Sequence, residues 1–442
     1  MNPFRSVSSL LSRAAIAGLL LPAIVQAQVP NELDLRTAIE FAVENNFTIR
    51  QARERIREQE GLIVEVKSQV LPNVSLGGSY SRDASSLAGP NSSEQNWQIA
   101  LQARQLLYSG GGVRAALDAQ SIVRETALLD LQAVINDQLL QVRTNFYNVL
   151  LAREQIDVQE ENVKLLEEQL TTARNRFEAG AVSNFDVLRA EVELANAKTP
   201  LIRARNTLRT SIDELRYSLG FDNRNPDHVD VAPEFIGSLD IVPVSFDFAA
   251  AIDAARANRP ELVRLSKLVD AREAGIVIAK SDRLPTVHAT AGYRVQKSFA
   301  SDRFQESLDG WTVGIQSNWA IWDGRATKGR VAQAMSQKEQ ARLALEDATL
   351  GVEVEVRRAL SALIEATELA DAAGKVVEQA DEALRLANAR YGAGTATQLE
   401  LLSAQVALTQ ARNNQLQANY SYNVAAASVR RSIGMTDALI SQ

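Results

Sequence analysis

His228 and His288 are the only imidazoles in this 442-residue chain, and it contains no cysteine. An imidazole beside a second imidazole, a carboxylate or a thiolate is the usual start of a metal or nucleophilic site. Here one histidine lies in a proline-rich stretch and the other in an alternating, strand-like segment, so they share no context. The absence of thiols also removes disulfides, thiolate metal sites, cysteine nucleophiles and lipid attachment through cysteine. Gly110-Gly111-Gly112 lacks the Lys-Ser/Thr that completes a phosphate-binding loop and falls at a strand-to-helix turn, where it reads as a hinge. Glu160-Glu161 and Glu167-Glu168 lie on a heptad helix and form its solvated face. No catalytic residue, cofactor or metal is expected. A net charge of −7 offers no basic face to nucleic acid.

The elements around these residues occur twice. Residues 33–220 return as 246–434: Lys67-Ser68 as Lys280-Ser281, Leu71-Pro72 as Leu284-Pro285, Tyr80 as Tyr293. Past one inserted residue, Trp97 returns as Trp311, Gly110 as Gly324, Ala179-Gly180 as Ala393-Gly394 and Gly220 as Gly434. Such a period is too long for a solenoid repeat, so each copy is a large helix–hairpin–helix unit. The expected division is an export signal over 1–27, a first repeat over 28–220, a linker over 221–245, a second repeat over 246–434 and a tail over 435–442. The signal rests on Arg5 and Arg13 before the apolar run Ala14–Val25, then Val25-Gln26-Ala27 at the cleavage positions.

Each repeat opens with a predicted helix, about 34–70 or about 247–283, that a Leu-Pro pair stops. Period-two alternation then predicts strands over about 73–82 and 97–108, and over about 287–297 and 311–321. Long helices over about 112–178 and 325–392 follow. Leu128, Ile135, Val142, Val149, Ile156, Val163, Leu170 and Phe177 are spaced by seven, and Val356, Leu363, Ala370, Val377, Leu384 and Tyr391 continue the register. An unbroken heptad is a coiled-coil seam. A glycine turn then reverses the chain into a last helix, leaving the first and last helices antiparallel beside the long one.

All four tryptophans, Trp97, Trp311, Trp319 and Trp322, lie in or beside the strands, and Tyr108 matches Trp322. Trp97 and Tyr108 stand about 36 Å apart along an extended strand. A tilt of about 40° makes that roughly 28 Å of height, close to the apolar band of an outer-membrane barrel between its aromatic girdles. With Trp97 and Leu101 toward lipid, Gln102, Arg104, His288 and Arg294 face the lumen; Arg82 and Lys297 have lipid-facing parity at the loop ends, where solvent is available. Four strands cannot close a barrel, and lipid does not tolerate open edges. Three chains would pool twelve strands, two only eight. A soluble sandwich edge is the competing reading of the strands alone.

In this order and in duplicate, these features resemble the TolC family of outer-membrane efflux channels over essentially the whole mature chain. The marks are Leu-Pro before each hairpin, the exits Tyr108-Ser109-Gly110-Gly111 and Trp322-Asp323-Gly324-Arg325, and the turns Arg176-Phe177-Glu178-Ala179-Gly180, with Asp186-Val187 after it, and Arg390-Tyr391-Gly392-Ala393-Gly394-Thr395. The resemblance implies a mainly α fold with a β-barrel part. A homotrimer would form a twelve-stranded transmembrane β-barrel, continued into the periplasm by a twelve-helix α-barrel of coiled coils with an equatorial belt. It implies the non-enzymatic exit duct of a tripartite export system, with a periplasmic adaptor, an inner-membrane transporter and outer-membrane lipid as partners. Small-molecule efflux is favoured over protein secretion.

Residue by residue, the resemblance places adaptor docking at Gly180-Ala181-Val182 and Gly394-Thr395-Ala396. It places a carboxylate of the periplasmic gate at Glu400, while Ser403 stands where the family has a second one. Tyr391 and Asp186 match two latch partners. Ala396 and Phe185 replace the latch arginine and threonine, and Tyr391 also fits the heptad core. The rival reading is an exported trimeric coiled-coil stalk without a pore, which explains the heptads but not the amphipathic hairpins.

Overall fold

Two helices, not one, open each repeat. In the computed structural model, which describes residues 32–82, 95–221, 233–298 and 304–435, the first repeat runs β1 (Glu32–Leu33), α1 (Leu35–Asn45), α2 (Phe47–Ser68), β2 (Asn73–Arg82), β3 (Gln95–Ser109), α3 (Gly112–Glu178) and α4 (Asn184–Leu219). The second runs β4 (Glu234–Phe235), α5 (Phe248–Asn258), α6 (Pro260–Ser281), β5 (Thr286–Lys297), β6 (Ser307–Asn318), α7 (Ala326–Gly392) and α8 (Gln398–Ser432). The expected signal over 1–27, His228 and the tail beyond Met435 lie outside the described residues.

The expectation of one helix over about 34–70 and another over about 247–283 is therefore corrected. Asn46 stops α1 and caps α2, its side-chain oxygen accepting the N–H groups of Thr48 at 2.8 Å and Ile49 at 3.1 Å. In the second repeat Pro260 takes the first position of α6 and holds Arg259 extended (φ −68°, ψ 117°). The paired lengths agree: 11 residues in α1 and α5, 22 in α2 and α6, 67 in α3 and α7. At 1.5 Å per residue the long helices reach about 100 Å.

Packing follows the heptads. Val142, Val149, Val163 and Leu170 of α3 are buried, as are Val356, Leu363, Ala370 and Leu384 of α7. Leu128 and Phe177, at the ends of the α3 series, are exposed. Near the sheet, α2 lies on one side of α3 and α6 fills the space between α3 and α7; farther away, α4 and α8 take those two places. The result is a row of helices with α2 and α4 at one border and α7 at the other.

The two largest apolar clusters sit halfway along this row. One joins α1, the middle of α3, the end of α4, Phe235 and Leu239; the other joins α5, the middle of α7 and the end of α8. The linker between repeats straps both. Arg153 of α3 donates to the carbonyls of Phe235 (2.9 Å) and Gly237 (2.7 Å), and the Tyr422 hydroxyl of α8 donates to Val242 and accepts from Val244. Leu33 of β1 pairs in parallel with Phe235 of β4.

The two hairpins form one antiparallel sheet, ordered β2-β3-β5-β6. The expected strand over about 311–321 is corrected to Ser307–Asn318, so Trp319 and Trp322 fall beyond it. The cause is its place in the sheet. The inner strand β3 is paired on both sides and runs to Ser109, while β6 is an edge with a single neighbour.

Candidate functional site

The sheet has two chemically distinct faces. Directly opposed residues share a face, so the register sorts them: Leu76–Leu101, Tyr80–Trp97, Leu101–Tyr293, Tyr293–Trp311, Ala291–Val313 and Ala289–Ile315 all lie on one side. The other side carries Ser75–Gln102, Asn73–Arg104, Arg104–Thr290, Gln98–Gln296 and His288–Gln316. Among the described residues the apolar side has little cover: Phe304 lies against Trp97, while Val313 and Ile315 are 73% and 74% exposed. A largely uncovered apolar sheet of this extent needs a non-aqueous partner.

A bulge completes the apolar face. Trp97 and Tyr108 are an odd number of residues apart and would point oppositely in a regular strand. The register slips between Leu106 and Tyr108, which leaves Leu107 as the extra residue and sets Tyr108 opposite Val287, on the same face as Trp97. The indole N–H of Trp97 donates to the carbonyl of Phe304 at 3.2 Å, and that of Trp319 to Arg283 at 3.0 Å, so both rings hold a polar tie at a rim of the sheet. Trp311 and Trp322 are exposed. Lys297, expected in solvent, is instead buried at 2% exposure where β5 ends.

At the opposite end of the row the chain reverses twice through the same turn. Gly180 and Gly394 have φ of +72° and +74°, which a side chain resists. The N–H groups of Gly180 and Ala181 bond the carbonyls of Phe177 and Arg176 at 2.9 and 2.8 Å; those of Gly394 and Thr395 bond Tyr391 and Arg390 at 3.1 and 2.9 Å. A Cβ built on either glycine meets nothing within 4 Å, so the turns are open on their outer side. Gly180, Ala181, Gly394 and Thr395 are exposed, Val182 and Ala396 half-buried.

Capping occupies the carboxylates beside these turns. Asp186 accepts the N–H and hydroxyl of Ser183 at 3.0 and 2.8 Å. Glu400 accepts the N–H of Thr397 at 3.4 Å while its own N–H donates to the Thr397 hydroxyl at 3.3 Å. Its second oxygen lies 3.3 Å from Arg390. Ser403 donates to the carbonyl of Glu400. The two tips touch at Tyr391 and Asp186 through Arg176 and Gln398, and deeper in through Gln405, contacts that the sequence reading did not assign. Arg176 lies 4.5 Å over the ring of Tyr391, Gln398 donates to the carbonyl of Asp186 at 3.3 Å, and the buried Gln405 donates to Asn162 and accepts from Gln169. The Ser-x-x-Asp and Thr-x-x-Glu spacing was legible as capping boxes; the cross-repeat contacts, over 200 residues apart, had no local signal.

Midway along the helices, Arg259 is 4% exposed and bonds Glu261 at 3.0 Å, Glu355 at 2.7 Å and the carbonyl of Ser432 at 3.3 Å. Arg431 joins them, reaching Glu355, Glu261 at 3.3 Å and Asp137 of α3 at 2.6 Å. Burial opposes the charge on Arg259, yet the bonds and charges of Glu261 and Glu355 outweigh it and raise its pKa. Burial likewise pushes Glu261 up, but Arg259 outweighs it and holds the carboxyl below the usual glutamate range.

The same architecture recurs in known proteins. CusC aligns with a TM-score of 0.75 at 19% identity, over 90% of this chain and 92% of its own. The CmeC outer membrane channel of Campylobacter jejuni aligns at 0.77 and 17%, over 90% and 85%. By sequence, the outer membrane protein TolC of Escherichia coli is 25% identical over 84% of this chain and 76% of its own. The cobalt-zinc-cadmium resistance protein CzcC of Cupriavidus metallidurans is 24% identical over 86% and 85%. Protein CyaE of Bordetella pertussis is 24% identical over 91% and 85%. The model of the outer membrane efflux protein family matches in two blocks, residues 38–221 and 251–435, one for each repeat. The chain therefore belongs to the outer membrane efflux protein family, the TolC-type channels of the outer membrane, whose members transport and are not enzymes.

Proposed function

We propose that three copies of this chain form the exit duct of a tripartite export system, passing solutes from a periplasmic adaptor and an inner-membrane transporter to the exterior. One observation carries the reading: a four-stranded sheet whose one face is apolar through its middle, from Leu76 and Leu101 to Val313 and Ile315, with two open edges among the described residues, continuous with helices about 100 Å long. Pooled strands close the edges, lipid covers the apolar face, and the polar face with Arg104, His288 and Arg294 lines a wet lumen. A pore-free stalk has no use for such a sheet.

The exposed turns Gly180-Ala181-Val182 and Gly394-Thr395-Ala396 are the adaptor-docking points in this reading, and Glu400 the carboxylate ringing the closed mouth. Three such charges, each drawn partly toward Arg390, favour cations over anions. Small molecules are the cargo. CzcC is named for resistance to metal cations and BepC of Brucella suis for efflux, which supports this; AprF of Pseudomonas aeruginosa is named for protease secretion and marks the alternative.

The test is purification and conductance. Detergent-solubilised trimers from the outer-membrane fraction should give discrete single-channel steps in a planar bilayer, and a water-soluble, non-conducting protein would overturn the duct. Deleting the gene should raise sensitivity to small toxic solutes. A loss of secreted protein alone, with unchanged sensitivity, would move the cargo to polypeptides.

A further inference from the structure

Just inside the tips, where α3 meets α7 and α8 of the same chain, lies a cavity of about 270 Å³. Leu165 of α3, Leu384 of α7 and Leu401 of α8 give it apolar walls, and Gln169 of α3 and Gln398 of α8 line it as well. Glu168 and Arg176 also stand at its wall, where their opposite charges offset one another. Two of its polar atoms have no partner. Among the described residues, three buried side-chain nitrogen or oxygen atoms lack a hydrogen bond, and two of them are Gln169 Oε1 and Gln398 Oε1. Gln398 as a whole is only 9% exposed.

Turning either amide over does not relieve this. Gln398 donates its Nε2 to the backbone carbonyl of Asp186 at 3.3 Å, so its oxygen must point away from that carbonyl. Gln405, 2% exposed, donates its Nε2 to the backbone carbonyl of Asn162 at 3.4 Å and to the side-chain oxygen of Asn162 at 3.1 Å. Its own oxygen therefore accepts from Gln169 Nε2, which leaves Gln169 Oε1 unpaired. Two backbone carbonyls, which only accept, thus fix the direction of both amides. What the cavity offers at these two points is a pair of acceptors, and a buried acceptor without a donor is destabilising.

We propose that this cavity is a regulatory ligand site for a small planar amidine or amide. Its N–H groups bond Gln169 and Gln398, and its apolar part lies against Leu165, Leu384 and Leu401. The size fits, since ligand sites begin at about 300 Å³ and one water takes only about 30 Å³. A molecule that donates to Gln169 of the first repeat and Gln398 of the second binds only while the two tips are in contact. By linkage it favours that contact, which in the duct reading holds the mouth narrow. The binding stands apart from that reading, and only its effect on conduction rests on it.

Calorimetric titration of the detergent-solubilised full chain with benzamidine tests this, beside benzoate, which has the same outline but carries acceptors alone. Benzamidine should bind saturably, and benzoate at least about tenfold more weakly, the worth of one hydrogen bond. Gly392, within α7, lines the cavity, and a Cβ built on it meets nothing within 4 Å. Gly392→Leu should therefore fill the space and abolish binding with the helices in place. Gln169→Met, which removes one acceptor, should weaken binding about tenfold. No saturable binding would leave the cavity to water and overturn the site. Equal binding of benzoate, or binding that survives Gly392→Leu, would overturn it too. In a planar bilayer benzamidine should lower the open fraction of the parent channel and not that of Gly392→Leu; binding without this effect would overturn the regulatory role. Trimers that bind benzamidine yet never conduct would overturn the duct and leave the site standing.

Discussion

The same helix break is made at two joints with opposite chemistry. At the first, neutral Asn46 caps α2 and donates to the carbonyl of Ser218 at 2.7 Å and to Gln138 at 3.1 Å. At the second, Arg259 donates to the carbonyl of Ser432, the counterpart of Ser218, and is surrounded by charge. Gly220 and Gly434 close both joints, and a Cβ on either would press into the break, 2.4 Å from the Asn45 carbonyl oxygen or 3.0 Å from the Arg259 nitrogen. What the fold requires at this position is thus a donor for the last carbonyls of the returning helix. A formal charge is not required, since Asn46 does without one. The charge at the second joint serves a different purpose: Arg431 carries the cluster across to Asp137 of the first repeat, so the ionic joint also clamps the two repeats together.

The largest effect should come from breaking the ionic joint. Arg259→Met leaves Glu261 and Glu355 with only Arg431; because their side chains are 27% and 40% exposed, the loss should fall short of a fully buried pair, at about 2–3 kcal/mol. Chemical unfolding in detergent measures it. Asn46→Ala at the neutral joint removes a cap and two buried hydrogen bonds, and should cost about 1–2 kcal/mol by the same measurement. Equal losses would mean that the charges add nothing beyond the shared hydrogen-bond geometry.

Smaller, and specific to one joint, is a pH dependence. Glu261 has its pKa held below the ordinary glutamate range in the folded chain, with Arg259, Arg431 and Glu355 around it and Asp137 beyond. A depressed folded pKa means that the unfolded chain binds more protons between the two values, so stability rises with pH there. The contribution is full above the unfolded pKa and is lost as pH falls through the folded one. Glu261→Gln should therefore be less stable than the parent at neutral pH, and the gap should close as pH falls from the ordinary glutamate range through the lower folded pKa. Asn46→Ala should run parallel to the parent across the same range.

The contrast also separates what the sequence displayed from what it hid. Leu-Pro stops, period-two strands and unbroken heptads are local patterns, and they placed β2, β3, β5, α3 and α7 well. The breaks at Asn46 and Arg259 interrupt strong helix-forming runs, and only Pro260 signalled one of them. The bulge at Leu107 was readable in principle, because Trp97 and Tyr108 can share a face only if a residue is skipped. The end of β6 was not, since an edge strand shortens for want of a neighbour, which no property of residues 311–321 records. At the tips, Gly180 and Gly394 were plain from the turn motif. The capping roles of Asp186 and Glu400 could be read from the Ser-x-x-Asp and Thr-x-x-Glu spacing, whereas the cross-repeat contact of Arg176 depends on which of several reachable partners a side chain takes.

The tips offer the finest version of the same comparison, a carboxylate capped alone against one capped and paired. Asp186 serves Ser183 only, while Glu400 serves Thr397 and also meets Arg390. In the duct reading the three copies of Glu400 set the charge of the narrow mouth, and Arg390 offsets part of it. Glu400→Ala should raise single-channel conductance and weaken cation selectivity, at a stability cost of about 1 kcal/mol for the lost cap. Arg390→Ala should act in the opposite sense, strengthening cation selectivity because the carboxylate is left unpaired at the mouth. Asp186→Ala should carry the cap cost without either change in selectivity. If Asp186→Ala shifts the selectivity as far as Glu400→Ala, the aperture is ringed by both repeats equally, and the distinction between a paired and an unpaired tip carboxylate has no bearing on conduction.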